Sequence, residues 1–224
     1  MNNERVAILG TAHGSNVPGK QSPDGEFREY AYSRKIINQV KSRLEALGFI
    51  VFIDIPQDIV PTPQKIELQN RVSIVNKICS KYGKNNCLYV SIHVNAAGSD
   101  GEWENAGGWC AFTTRGKTKS DIAAECFYEE AETELKDYEK IMTNGIKKGI
   151  YSKQQRPYRI DKTDGDKDLE SNFHVIYHTK CPAVLTENLF QDNLEDVAYL
   201  TSERGIKAIV DIHVNGITKY FDRI

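Results

Sequence analysis

Residues 88–98, LYVSIHVNAAG, decide the fold class. From Leu88 to Val94 the run is apolar except for Ser91 and His93, and it ends on a small, glycine-containing turn. A strand that is apolar almost without interruption, rather than at every second residue, belongs to a sheet covered on both faces. Similar runs bounded by polar residues or glycine lie at 6–9, 49–55, 109–112, 173–177 and 183–185, which predicts six strands. Between them come helical stripes. Tyr32, Ile36, Ile37, Val40, Leu44 and Leu47 share one face before Gly48; Leu68, Val72, Val75, Ile78 and Cys79 do so before Gly83; Ile206, Ile209, Val210, Val214 and Ile217 do so near the C-terminus. Alternating strands and helices predict an α/β fold: one three-layer domain over residues 1–224 with about six mostly parallel strands flanked by helices.

Two segments interrupt the alternation. Residues 56–65 hold Pro56, Pro61 and Pro63 and read as an irregular loop. Residues 147–172 are dense in charge and read as a long surface excursion ahead of the strand at 173–177, either a rim over a substrate groove or an ornament.

Composition excludes several classes. With 224 residues, 40% hydrophobic and 27% charged, the chain can bury a real core. Its 29 Lys and Arg against 31 Asp and Glu offer no basic surface for nucleic acid or an anionic membrane. Five cysteines with no CxxC pair indicate buried free thiols rather than a disulfide framework or a thiolate zinc site. No apolar run approaches the roughly 20 residues of a membrane span, and none reads as a signal peptide. The expectation is a monomer made in the cytoplasm.

Open α/β sheets bind ligands at the carboxyl ends of their strands. His13 stands there after the first strand, His93 at the end of the third, and Glu187 at the end of the strand in PAVLTENLF; Glu29 opens the helix after the first strand. Two imidazoles and a carboxylate suit a catalytic zinc ion, and a second carboxylate beside them suits a general base. Taken singly, each residue also has an ordinary structural reading. A loop or core position accounts for either histidine, a first-turn acid for Glu29 with Glu26 as its rival. Glu187 is harder to explain that way, since a carboxylate directly after Ala183-Val184-Leu185 is costly unless paired or used. The spacing is not the HExxH helix of many metalloproteases.

AHGSNVPGK, GEFREYAYSRKIINQVKSRLEALGFIV, LQNRVSIVN, LYVSIHVNAAG and CPAVLTENLFQDNLEDVAYL, in that order, resemble the zinc-dependent N-acetylmuramoyl-L-alanine amidases, the type-3 cell-wall amidases. The resemblance implies that His13, Glu29 and His93 hold Zn2+ and that Glu187 is the catalytic residue. It prefers Glu29 over Glu26 from the distance to Gly48. It implies cleavage of the amide between the lactyl group of N-acetylmuramic acid and L-alanine, with peptidoglycan or a muropeptide as substrate. Ala12 stands where the family usually has glycine, and Asn188 follows Glu187 where a small residue is common, which bears on substrate contact. Asn188 is therefore a candidate substrate-binding residue.

Asn95, two residues past His93, is a second such candidate and equally a cap for the following turn. His178 reads as a surface-turn residue beside the site, and His174 and His213 carry no assigned role. Arg71 reads as ordering a loop or as a solvated helix face. Trp103 and Trp109 flank ENAGG, and Trp109 reads as the start of a buried strand. Ser91 has no Gly-x-Ser-x-Gly elbow around it. A zinc peptidase and a non-catalytic wall-binding module are the rival readings. A wall enzyme without a leader needs another route to the wall, and a phage or prophage lysin released through a membrane lesion fits.

Overall fold

The strand pattern at 88–94 reflects the architecture directly. In the computed structural model, which describes residues 4–224, the sheet is built from β1 (Val6–Thr11), β2 (Ile50–Ile53), β3 (Cys87–Asn95), β4 (Cys110–Thr113), β5 (Leu169–Glu170) and β6 (Ala183–Phe190). Their spatial order is β2-β1-β3-β6-β4-β5. Every pairing is parallel except β4 with β6.

The helices are α1 (Glu29–Ala46), α2 (Gln64–Tyr82), α3 (Lys119–Glu134), α4 (Lys136–Lys148), α5 (His174–Tyr177), α6 (Leu194–Thr201) and α7 (Glu203–Arg223). Successive strand residues feed two separate cores. Ala7, Leu9, Leu88, Val90 and Ile92 pack with the stripes of α1, α3 and α7, whereas Val6, Ile8, Cys87 and Tyr89 pack with Val75 and Cys79 of α2 and Val175 and Ile176 of α5. With both faces covered, each strand must be apolar on both sides, as residues 88–94 are. All five cysteines are buried free thiols.

Local chemistry sets the helix ends. Thr118 and Asp121 close a capping box on α3, and the Ser202 Oγ accepts from the Gly205 N–H at the start of α7. Gly48, at φ 85°, lets the chain turn out of the helix that precedes β2. No helix among the described residues is long and apolar enough to cross a membrane.

Three expectations change. Residues 173–177 form no strand: 174–177 are the single-turn helix α5, in which the neighbours Val175 and Ile176 are both buried in one core. A strand would have sent them to opposite faces. The fifth strand is instead Leu169–Glu170, inside the charged excursion. That excursion is therefore part of the sheet near its end, where β5 forms the edge strand beside β4. Trp109 and Tyr158 form a β-bridge, Tyr128 donates to the Arg159 carbonyl, and no residue of 147–172 lines the cavity around His13 and His93.

Candidate metal centre

Strand order reverses between β1 and β3, since β1 continues through α1 to β2 on one side while β3 starts the walk to the other. His13 and His93 stand at the exits of these two strands, at the switch point where such sheets bind ligands. On the neighbouring strand Glu187 is in register with His93, so the two side chains share the face that carries α2 and α5.

The turn holding His13 is built to keep that ring in place. His13 has φ 37°, a left-handed conformation unusual for a side-chain-bearing residue. Gly14 has no room for a Cβ, which would come within 2.7 Å of Val60 Cγ2 and 2.8 Å of the Asp58 carbonyl. Arg34 donates to the carbonyls of Ala12 and His13, each at 3.1 Å. The Ala12 N–H donates to Ser33 Oγ, which donates on to the Ile92 carbonyl and so ties the two strand exits together.

Behind this turn, Arg71 is 3% exposed and joins Asp54 (2.7 Å), Glu67 (2.9 Å) and Thr11 (3.0 Å) in one buried network. Tyr89 donates to the same Asp54 carboxylate. Arg71 therefore orders the loop as one of its two sequence readings had it. Burial lowers its pKa, but the attraction of Asp54 and its neighbours outweighs this and keeps the guanidinium charged.

Glu29, the first residue of α1, lies between the two imidazoles. Its Oε1 is 3.1 Å from His93 Nδ1 and accepts from the Val94 N–H, and its Oε2 is 3.5 Å from His13 Nε2. Glu26, the rival, is exposed. One candidate ligand atom from each of His13, Glu29 and His93 lies within 4.8 Å of the other two, the single such group among the described residues. Burial pushes the Glu29 carboxyl up, but the hydrogen bond and charge of His93, the charge of His13 and the Val94 N–H together hold it below the usual range. Burial drives His13 down to about 3 against the pull of Glu29, which leaves a neutral imidazole with a free lone pair at neutral pH. His93 Nε2 meets Ser91 Oγ at 3.0 Å, so its Nδ1 faces Glu29 while the other nitrogen is held from behind.

Glu187 closes the arrangement. Its Oε2 is buried with no hydrogen-bond partner in the protein. Burial first, and the nearby Glu29 carboxylate second, push its pKa well above the ordinary value, with Lys20 acting the other way. Two carboxyls side by side, Glu29 held below the usual carboxylate range and Glu187 pushed above it, form a site with separate metal-ligand and acid–base positions. The donor set of two imidazoles and a carboxylate fits zinc.

Sequence and structure differ at the periphery. Asn188 is fully buried: its amide donates to the His93 carbonyl and to Thr186, and its oxygen accepts from Trp109 Nε1. Asn95 caps its own turn by accepting from the Ala96 N–H, and a register shift after His93 takes it out of the strand's alternation. It does not line the cavity of about 250 Å³ in front of Glu187. His178 is exposed, and His213 is a satisfied core residue bonded to Thr186 and the Ile209 carbonyl. His174 does line the cavity, together with Lys20, Gln64 and Phe173. A histidine beginning a short apolar run gave no sign of this.

The family model described as N-acetylmuramoyl-L-alanine amidase, Amidase_3, matches residues 8–219. The chain belongs to this family. Among curated amidase relatives, the N-acetylmuramoyl-L-alanine amidase CwlM of Bacillus licheniformis is 44% identical over 52 residues, 23% of this chain and 21% of that one. The endolysin of Bacillus phage SPP1 is 27% identical over 215 residues, 96% of this chain and 65% of its own length. The chain thus spans less than two thirds of either relative. Among solved amidase structures, the N-acetylmuramoyl-L-alanine amidase from Clostridium difficile 630 superposes with a TM-score of 0.73 at 19% identity, covering 99% of this chain and 98% of that one. The six-stranded sheet with flanking helices is the amidase fold.

Proposed function

We propose that residues 1–224 act as one catalytic domain, a zinc-dependent N-acetylmuramoyl-L-alanine amidase that hydrolyses the amide between the lactyl group of N-acetylmuramic acid and L-alanine in peptidoglycan. Family membership supports the reaction class. The observation that carries the mechanism is the Glu187 carboxyl, whose buried Oε2 has no protein partner, beside a cluster of His13, Glu29 and His93.

In this reading His13, Glu29 and His93 hold the ion. Zinc bound there supplies a Lewis acid for the scissile carbonyl and lowers the pKa of a water molecule. Glu187 accepts the proton of the attacking water and later delivers it to the leaving alanine nitrogen, a role suited to a carboxyl that burial makes more basic than usual. Ser91 holds the His93 ring, and Arg34 and Arg71 hold the backbone that presents His13.

Mass spectrometry of a peptidoglycan digest, run with zinc and again with a chelator, tests the reading. Intact stem peptides with free L-alanine amino termini, released only with metal, are expected. Cleavage inside the stem peptide would make the protein a zinc peptidase. Binding to the wall without turnover under both conditions would make it a binding module.

A further inference from the structure

A second cavity, about 160 Å³, opens next to the metal pocket. The two share the same three chain segments. Lys20 lines the metal pocket while its neighbours Gly19 and Gln21 line the second cavity. Glu187 lines the first while Gln191 and Asp192 line the second, and His93 lines the first while Ala96 and Gly98 line the second.

Two residues that line this cavity each carry an acceptor without a protein partner. Gln191 is 2% exposed and its Oε1 has none; Asp192 is 6% exposed and its Oδ1 has none. The other Asp192 oxygen accepts from the N–H groups of Ala97 and Gly98, so the side chain is fixed and its free oxygen cannot swing out to water. Glu102 adds a further carboxylate at the mouth. Among the described residues no ion pair involves Asp192 or Glu102.

A buried carboxylate without a cation is costly unless a ligand supplies one. Among the described residues, three ligand atoms from His, Cys, Asp or Glu converge within 4.8 Å of one another only at His13, Glu29 and His93, so this cavity holds no such cluster for a divalent metal. A neutral hydroxyl would satisfy the hydrogen bonds and leave the charge uncompensated. A primary ammonium does both: it brings a positive charge and three N–H donors to oxygens that only accept.

We propose that this cavity is a subsite for the primary ammonium of the substrate's peptide, borne on the side chain of the diamino acid that is the third residue of the stem. The inference rests on the amidase reading and deepens it. Four residues of extended chain from Glu187 to Gln191 span at most about 14 Å, a distance that three peptide residues and an aminoalkyl arm also cover. The subsite selects peptides with a free amine and sets the direction in which the stem lies, away from the glycan.

The test uses N-acetylmuramoyl-L-alanyl-γ-D-glutamyl-L-lysine and its Nε-acetyl derivative, with kcat/KM measured for the wild-type protein and for Asp192→Asn. Asparagine keeps the bonds to Ala97 and Gly98 and removes the free carboxylate oxygen. The wild type is expected to prefer the free amine by about tenfold, the contribution of one charge-assisted hydrogen bond. Asp192→Asn is expected to lose that preference while retaining its zinc and its rate on the acetylated substrate. Equal rates for both substrates in the wild type, or an unchanged preference in Asp192→Asn, would overturn the proposal.

A binding measurement separates this inference from the amidase reading. The γ-D-glutamyl-L-lysine dipeptide should shift the side-chain amide resonance of Gln191, and its Nε-acetyl form should not. That shift in a protein with no turnover would defeat the amidase reading and leave the ammonium subsite standing. A shift produced by calcium and not by the dipeptide would overturn the subsite.

Discussion

The two faces of the sheet use their histidines in opposite ways. On the face covered by α1, α3 and α7, His213 sits fully buried with both ring nitrogens bonded, to Thr186 and to the Ile209 carbonyl. On the face carrying α2 and α5, His13 and His93 stand with ring centroids 5.2 Å apart around a shared carboxylate, and Glu187 keeps an oxygen that nothing in the protein satisfies. The first histidine completes a core. The other two stand at the strand ends beside a carboxyl oxygen without a protein partner, where a ligand can take it up. Both nitrogens of His93 are bonded as those of His213 are, so what sets His93 apart is its partner, a carboxylate shared with a second imidazole.

Replacing Glu187 with Gln should give the largest effect. Turnover is expected to fall roughly 10³-fold, the scale of general acid–base catalysis, with zinc content and melting temperature held, because the carboxyl makes no protein hydrogen bond through Oε2. Retained activity would remove Glu187 from the chemistry and erase the contrast between the faces.

Next comes Arg71→Met. It strips Asp54 and Glu67 of their buried partner and is expected to cost about 3–5 kcal/mol in urea unfolding. A loss below about 1 kcal/mol would put the arginine back in the class of solvated surface ion pairs.

His213 sharpens the comparison through pH. Burial lowers its pKa to about 4 in the folded protein from 6.5 unfolded. The native state therefore binds fewer protons between these values, and stability that is full above pH 6.5 drains away as pH falls toward 4. The loss amounts to about 3 kcal/mol from this group. Urea unfolding at pH 7 and pH 4.5 should show a smaller acid loss in His213→Gln than in the wild type, with activity at neutral pH retained. Equal acid losses would assign the slope to other groups.

The smallest effect belongs to Ser91→Ala. It frees His93 Nε2 and should weaken zinc binding about tenfold in a chelator competition without loss of stability. No change would mean that packing alone orients the ring.

Much of this was legible in the chain. The strands of β1, β3 and β6 and the stripes of α1, α2 and α7 could be read because burial on both faces writes itself into every local residue. His13, His93 and Glu187 could be picked out because each is a polar residue within or just after an apolar strand run, and Glu29 was preferred over Glu26 through the family resemblance. Helix α3 was overlooked although Thr118 and Asp121 spell its capping box. The stretch at 173–177 misled because five mostly apolar residues satisfy strand and helical turn alike.

By itself, then, the sequence determined the α/β class and the set of polar residues delivered to the carboxyl ends of the strands, since both follow from local composition and from position along an element. Tertiary structure alone decided which of those residues meet. It set Glu29 between two imidazoles, turned Asn188 inward to Trp109, brought His174 to the metal cavity and left Gln191 and Asp192 facing a second one. These relations join residues dozens of positions apart, such as Glu29 with His93 and His93 with Asn188. Pairings of that kind depend on how layers pack and strands register, which no local pattern encodes.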